Sequence, residues 1–525
     1  MEQLLKPAAV FSSHMVLQRE KPIAFWGEGK EGIVTISLND VSTEAVVKDG
    51  HWNAVLPPMP AGGPYEVIIC QEDETITYTD VLIGEVWLAG GQSNMELELK
   101  DSEGGIEEAD SFHSDSIRFY QVRHLSYVDE NFYKEEAKGS WEMCQDGSQK
   151  HWSAVGYYFI KKLWQELKVP VGLISCNWGG TSASAWVRKE DLIKQDSTAT
   201  YVQELEQAVA GKTKDEYEKE LNEYNEWYAK WQEKVNVLYR EKPDILWSEV
   251  QKIAGKNRWP EPLGIKSPFR ACGLYETMLS RVRPYSLRGF LYYQGESDDH
   301  KPESYDVLLE QLIRRWRMDW NDLELPFLFV QLPMYIGRED VDHGNWAVIR
   351  KKQQQICQMI RNTGMAVILD CGTFDNIHPL NKRIPGWRLA DLALYQVYQN
   401  GKGKSGPFYR YHVCTGQKIE VFFDHTADGI YFREDEAYRN SRKRYMPDPK
   451  KEEEERKKNP ISLTGFEIAG DENIFYPASV EVMKDSVILF SEQVERPIHA
   501  RYACHNFSPV TIFNTYDLPL APFEV

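Results

Sequence analysis

Four short stretches of the chain combine residue types that could do chemistry. The first is Gly90-Gly91-Gln92-Ser93-Asn94-Met95, directly after an apolar run at 85–89. A serine at a sharp, Gly-rich turn from strand to helix exposes its hydroxyl. The orphan N–H groups of the helix start point at the same spot. Ester cleavage needs both, a nucleophilic oxygen and donors for the oxyanion that forms. Taken alone, the stretch reads more readily as a helix cap supplied by Ser93 or Asn94.

A serine nucleophile needs a base. Of the 12 histidines, His378 has the most suitable setting, Asp375-Asn376-Ile377-His378-Pro379, in a loop after the apolar run 365–370. An aspartate three residues before a histidine in a turn can reach Nδ1, fix the tautomer and leave Nε2 to take the serine proton. The plain alternative is a loop histidine with an acidic neighbour. Two more loops could complete a site. Asn177-Trp178-Gly179-Gly180-Thr181-Ser182 follows the run 169–175, and its Gly pair permits close backbone approach, so one N–H could serve the oxyanion. Gln294-Gly295-Glu296-Ser297-Asp298 follows 289–293, and the Gln294 amide could donate another hydrogen bond. Ordinary turn chemistry is the alternative for both.

These loops share a position: each follows a short apolar run. The runs at 85–89, 169–175, 289–293, 326–331 and 365–370 alternate with helix-like segments such as 156–167 and 305–316. That alternation predicts βαβ units and a parallel sheet, with both faces covered and the active site at the carboxyl ends of the strands. Residues 1–84 read instead as a small β-sandwich, with short alternating strands at 34–38 and 67–70 and frequent Gly and Pro. Between 196 and 262, Tyr217, Leu221, Tyr224, Tyr228, Trp231, Val235 and Leu238 recur at 4-3-4-3-4-3 spacing. This is one apolar stripe on a long helix, read as packing surface rather than as a carbohydrate platform. Strand-like runs return at 418–423, 480–490 and 510–513, around a mixed-charge run at 450–458 that reads as a solvated loop or short exposed helix.

Composition excludes several functions. The balance of 61 basic against 80 acidic residues gives a net charge of −19, with no global attraction for nucleic acid or for acidic lipid surfaces. No apolar run is long enough to span a bilayer, and the N-terminus lacks the pattern of a secretory signal. The eight cysteines include no C-x-x-C pair, so no zinc site is expected, and reduced, mostly buried thiols in a cytoplasmic protein are the expectation. An export signal trimmed from the sequence would change that expectation.

Taken together, Gly91-Gln92-Ser93-Asn94-Met95, Trp178-Gly179-Gly180-Thr181, Tyr293-Gln294-Gly295-Glu296-Ser297 and Asp375-Asn376-Ile377-His378-Pro379 resemble the sialate O-acetylesterase family of SGNH-type serine esterases. Val10-Phe11-Ser12-Ser13-His14-Met15-Val16-Leu17-Gln18-Arg19, with Trp26-Gly27, is similar to the N-terminal β-domain of that family. The resemblance implies a flavodoxin-like three-layer α/β hydrolase domain. It implies Ser93 as nucleophile, His378 as base and Asp375 as its partner, with oxyanion donors from Ser93 N–H, Gly180 N–H and the Gln294 side chain. Gln92, Asn94 and Glu296 become candidates for substrate binding, although Glu296 suits bracing of the loops as well. No metal or organic cofactor is implied, and the partner is an acetylated carbohydrate.

The expected organisation is an N-terminal β-sandwich (1–84), a hydrolase domain in two parts (85–195 and 263–400), a helical insertion (196–262) and a C-terminal β-domain (401–525). The chain departs from the family pattern where Glu96-Leu97 stand in place of an aromatic after Met95, and where Thr373-Phe374 follow Asp370-Cys371-Gly372. Both departures lie near the expected pocket and bear on the substrate. Acidic residues at 296, 298 and 299 would repel a sialate carboxylate, which makes acetylated xylan, mannan or xyloglucan fragments rival substrates. A non-catalytic carbohydrate-binding protein on an esterase scaffold would have no need of a complete serine–histidine–aspartate set. A glycosidase using Glu296 and Asp298 is disfavoured, because carboxylates two residues apart cannot readily flank a glycosidic bond from both faces.

Overall fold

The computed structural model describes residues 5–337, 342–401, 403–445 and 462–525; the charged run at 450–458 lies outside them. A mixed sheet forms the centre, and its strands are numbered here β1 Glu74–Gly91, β2 Ser114–Gln121, β3 Trp141–Cys144, β4 Val171–Asn177, β5 Gly289–Tyr293, β6 Phe327–Val330 and β7 Thr363–Ala366. In space they run β3-β2-β4-β1-β5-β6-β7. All neighbours are parallel except β3, which lies antiparallel to β2. Counting β1, β4, β5, β6 and β7 in chain order, their spatial order is 2-1-3-4-5, so the order reverses at β1. Loops leaving β1 and β5 therefore diverge to enclose a crevice at the carboxyl ends of the strands, where open parallel sheets bind ligands.

The strands β4 to β7 and the second half of β1 are largely apolar because helices cover both sides. β4 and β5 are buried at every position. Among the helices are α1 Ser93–Glu96, α2 Ala154–Leu167, α3 Asp196–Val209, α4 Lys214–Glu241, α5 Trp247–Ala254, α6 Tyr305–Asp319, α7 Asn345–Met359 and α8 Arg383–Leu392. On one face of β1, Trp87 meets Phe159 of α2 edge to face at 5.2 Å. On the other face, Gly90 leaves room for Trp316 of α6, which a Cβ would approach to 2.5 Å.

Two of the expected runs end differently. Strand β7 stops at Ala366, and Leu369–Cys371 forms a single turn that swings the chain toward the His378 loop. The run 480–490 is a hairpin of Ser479–Val482 and Ser486–Phe490 rather than one strand. The stripe on α4 is packing surface, as expected: Tyr217, Tyr224, Trp231 and Val235 are buried, the last two in a small cluster with Ile245 and Val250 beside α5.

β1 is unusually long. Its first half pairs with Gly62–Gln71 in the N-terminal sheet, and its second half is the middle strand of the central sheet. The N-terminal strands are thereby tied rigidly to the strand that carries Ser93. Beyond residue 400, antiparallel strands form further small sheets. Among the described residues, no helix is long and apolar enough to cross a membrane.

Candidate active site

β1 ends at Gly91, and α1 begins two residues later with Ser93. The turn requires a glycine: Gly91 has φ +137°, and a Cβ there would fall 2.1 Å from the Tyr293 carbonyl oxygen. Gln92 ties this turn to the loop after β5. Its N–H donates to Tyr293 O at 3.1 Å, and its Oε1 accepts from Ser297 N–H at 3.1 Å.

Ser93 Oγ and His378 Nε2 lie 2.8 Å apart, although 285 residues separate them. The turn after β7 brings the histidine loop over α1, and Asn376 Oδ1 accepts the His378 N–H at 2.9 Å. Burial, assisted by the nearby Lys382 cation, holds the His378 pKa below its ordinary value, so the imidazole is neutral at pH 7 and able to take a proton. Asp375 is half-buried on the same loop, three residues before His378.

Gly179 and Gly180 border the serine on its other side. A Cβ on Gly179 would be 3.4 Å from Ser93 Cβ, so the two segments are in contact. Gly180 sits at φ +73°. Among the described residues, neither Ser93 N–H nor Gly180 N–H has a hydrogen-bond acceptor. Ser93, Gly180 and His378 line one cleft, and an oxyanion requires unpaired donors next to the nucleophile.

Gln294 was expected to supply a third donor, and its amide is otherwise engaged. The residue is fully buried. Its Nε2 donates to Asp298 Oδ2 at 2.6 Å and to Thr181 O at 3.2 Å, and its Oε1 accepts from Tyr305 at 3.0 Å. It crosslinks the loops after β4 and β5 and offers the cleft nothing. Asp298 is the hub of that crosslink, also accepting from Ser182 Oγ, Ala183 N–H and Tyr201 OH at 2.6, 2.9 and 2.8 Å.

Asn94, a candidate for substrate contact, is likewise fully buried. It donates to Glu296 Oε1 at 2.5 Å and to Ile377 O at 3.0 Å, and accepts from Lys382. This network fastens α1 to both the Glu296 loop and the His378 loop. Burial raises the Glu296 pKa and pushes Lys382 down to about 7. Glu296 thus braces the loops through Oε1, while it also reaches the cleft wall.

Four contributors lie outside the expected motifs. Lys382 sets the field at His378. Glu96 accepts the Gly179 N–H, with His124 Nε2 3.8 Å from its other oxygen. His124 in turn stacks on Trp178 at 4.6 Å and bonds Asn177 O at 3.0 Å. Trp259 stands over Gly180 at the mouth of the cleft. The sequence placed Glu96 near the pocket without a role, and no local pattern marks Lys382, His124 or Trp259, which only the packed loops bring to the site.

The cleft has a volume of about 870 Å³ and is lined by Gln92, Ser93, both glycines and His378 among others. Among the described residues, no group of three or more His, Cys, Asp or Glu side chains could hold a metal ion.

The carbohydrate esterase family described as sialic acid-specific acetylesterase matches residues 83–247 and 258–382, more than half of the chain. The mouse (Mus musculus) sialate O-acetylesterase is 29% identical over 418 residues, covering 73% of this chain and 71% of its own. The human (Homo sapiens) protein of that name is 26% identical over 426 residues, covering 73% and 69%. A carbohydrate acetylesterase from Xanthomonas citri superposes with a TM-score of 0.73 over 99% of both chains at 23% identity, a likeness of fold.

Proposed function

Because the chain belongs to the sialic acid-specific acetylesterase family of carbohydrate esterases, and is therefore a carboxylic ester hydrolase, we propose that it removes O-acetyl groups from carbohydrates through an acetyl-enzyme on Ser93. The 2.8 Å contact between Ser93 Oγ and His378 Nε2 carries this reading.

His378, neutral at pH 7, takes the Ser93 proton as Oγ attacks the acetyl carbonyl. The oxyanion rests on the N–H groups of Ser93 and Gly180. His378 then gives its proton to the departing sugar oxygen, leaving acetyl on Ser93. Water, deprotonated by the same imidazole, attacks the acyl carbon, and acetate leaves as Ser93 regains its proton. Asp375 orients the imidazole through Nδ1. The strand order 2-1-3-4-5 suits an SGNH-type, flavodoxin-like hydrolase domain. We read residues 1–84 and 401–525 as its flanking β-modules and 196–262 as a helical insertion.

The relatives are named for sialate esters, and the lining of the cleft favours a neutral sugar. Its charged residues include Glu204, Glu261, Glu296 and Asp299, and no Lys or Arg lines it among the described residues. A sialate carboxylate would enter with no cation to meet it, whereas acetylated hemicellulose oligosaccharides carry no such charge. The experiment is acetate release from 4-nitrophenyl acetate by wild type and Ser93→Ala. Loss of turnover in the variant supports the mechanism; an unchanged rate overturns it.

A further inference from the structure

The outer wall of the cleft comes from the long excursion between β4 and β5 rather than from the loops that carry Ser93 and His378. Trp259 is its most prominent part. The residue is 48% exposed, an unusual state for so large an apolar side chain. It is nevertheless fixed in place. The Trp259 backbone N–H donates to Asn257 Oδ1 at 3.0 Å, and Phe269 meets the ring edge to face at 5.6 Å. The ring also lies against the proposed oxyanion loop: a Cβ on Gly180 would come 2.8 Å from Trp259 Cζ2 and 3.1 Å from Phe269 Cε1.

Glu204 and Glu261 line the same cleft. Burial raises the pKa of Glu261. Glu204 is held by Lys301 at 2.6 Å, and that cation also sits 3.9 Å over the Tyr201 ring, so its charge is already committed. The chemistry of this wall is therefore one apolar face beside carboxyl oxygens. A pyranose ring matches it, with C–H groups on its flat faces and hydroxyl donors around its edge. The cleft, at about 870 Å³, is far larger than an acetyl group needs.

We propose that Trp259, with Glu204 and Glu261, forms a subsite for an uncharged pyranose ring adjoining the acetylated one, so that the enzyme engages a neutral oligosaccharide chain. This rests on the esterase reading above for the position of the acetylated ring. The binding surface itself is tested without turnover.

The test is calorimetric titration of the Ser93→Ala protein with xylotetraose, cellotetraose and mannotetraose, and with N-acetylneuraminic acid. At least one neutral tetrasaccharide is expected to bind, and more tightly than the sialic acid. In the same background, Trp259→Leu keeps apolar bulk without a ring face and should weaken binding by about ten-fold, whereas Trp259→Phe should stay within about three-fold. A second readout does not depend on the leucine variant folding: the bound tetrasaccharide should change tryptophan emission in Ser93→Ala and not in Ser93→Ala with Trp259→Phe. The proposal is overturned if no tetrasaccharide binds, if the sialic acid binds best, if leucine matches tryptophan, or if the emission change survives the phenylalanine. Failure of the esterase reading would show separately, as undiminished ester turnover by Ser93→Ala.

Discussion

Glu96 touches neither Ser93 nor His378 through any hydrogen bond, yet catalysis should depend on it. One of its oxygens accepts the Gly179 N–H and so fixes the loop whose next residue, Gly180, lines the same cleft as Ser93 and is proposed as an oxyanion donor. The other oxygen lies 3.8 Å from His124, which anchors the same loop through Asn177 O. In Glu96→Ala the Gly179 N–H loses its acceptor and the loop loses one of its ties. A hydrogen bond to a charged acceptor contributes about 1.5–3 kcal/mol. With the Glu96 side chain 34% exposed, water can replace part of this, and the lower end applies. Converted to a barrier, about 1.5 kcal/mol is roughly ten-fold in rate. The ceiling is about 10²–10³, the cost of removing an oxyanion donor outright. The assay is steady-state hydrolysis of 4-nitrophenyl acetate. Glu96→Ala should lower kcat about ten-fold with KM little changed, because the oxyanion forms after substrate binds. Glu96→Gln retains an acceptor oxygen and should recover most of the loss. A purely structural role would show as lowered stability with no rescue by glutamine. Glu96→Ala with wild-type kcat would exclude this role for Glu96.

The pH profile follows from His378. Its pKa lies below the ordinary 6.5, so the neutral base persists into mildly acidic solution and kcat/KM should fall only as pH drops through that lowered value. Lys382→Met removes the cation that helps depress it, so the acid limb should move to higher pH; a shift the other way contradicts the assignment. Asp298→Asn places an amide where a carboxylate now accepts four hydrogen bonds. It should destabilise the fold by about 1–3 kcal/mol for each donor left without a partner, read as a lower unfolding midpoint in urea. Arg388→Met leaves Asp370 without its two-pronged guanidinium, at 2.6 and 2.8 Å, and should cost about 3–5 kcal/mol by the same measurement, an unchanged midpoint being the contrary result. Gln294→Leu should lower stability too, without the roughly 10²–10³ fall in kcat that loss of an oxyanion donor brings.

The sequence made the scaffold legible where burial is complete. β5 was readable to the residue because a strand covered on both faces is apolar at every position. The stripe on α4 was readable because one face of a helix repeats every three or four residues. The hairpin at 479–490 was not, since its turn at 483–485 carries only Asp485 as a turn former, with no Gly, Pro or Asn to mark the reversal strongly. At the site, residue types and order pointed to Ser93, His378 and the Gly179-Gly180 pair, which converge on one cleft. Side-chain direction was beyond reach. Gln294 and Asn94 sit in the right loops, but Asp298 and Lys382 draw their amides inward. Glu96 was legible as a departure near the pocket, but its bond to Gly179 was not, and Trp259 comes from a segment far from Ser93 in sequence, which no local pattern encodes.

The central claim is that Ser93 carries the acetyl group between two half-reactions. The most direct measurement mixes the enzyme with excess 4-nitrophenyl acetate, quenches in acid within the first turnovers and locates acetyl groups by peptide mass spectrometry. Acetyl on Ser93, absent from the Ser93→Ala protein, is the expected result. Turnover with Ser93 never acetylated would contradict the account.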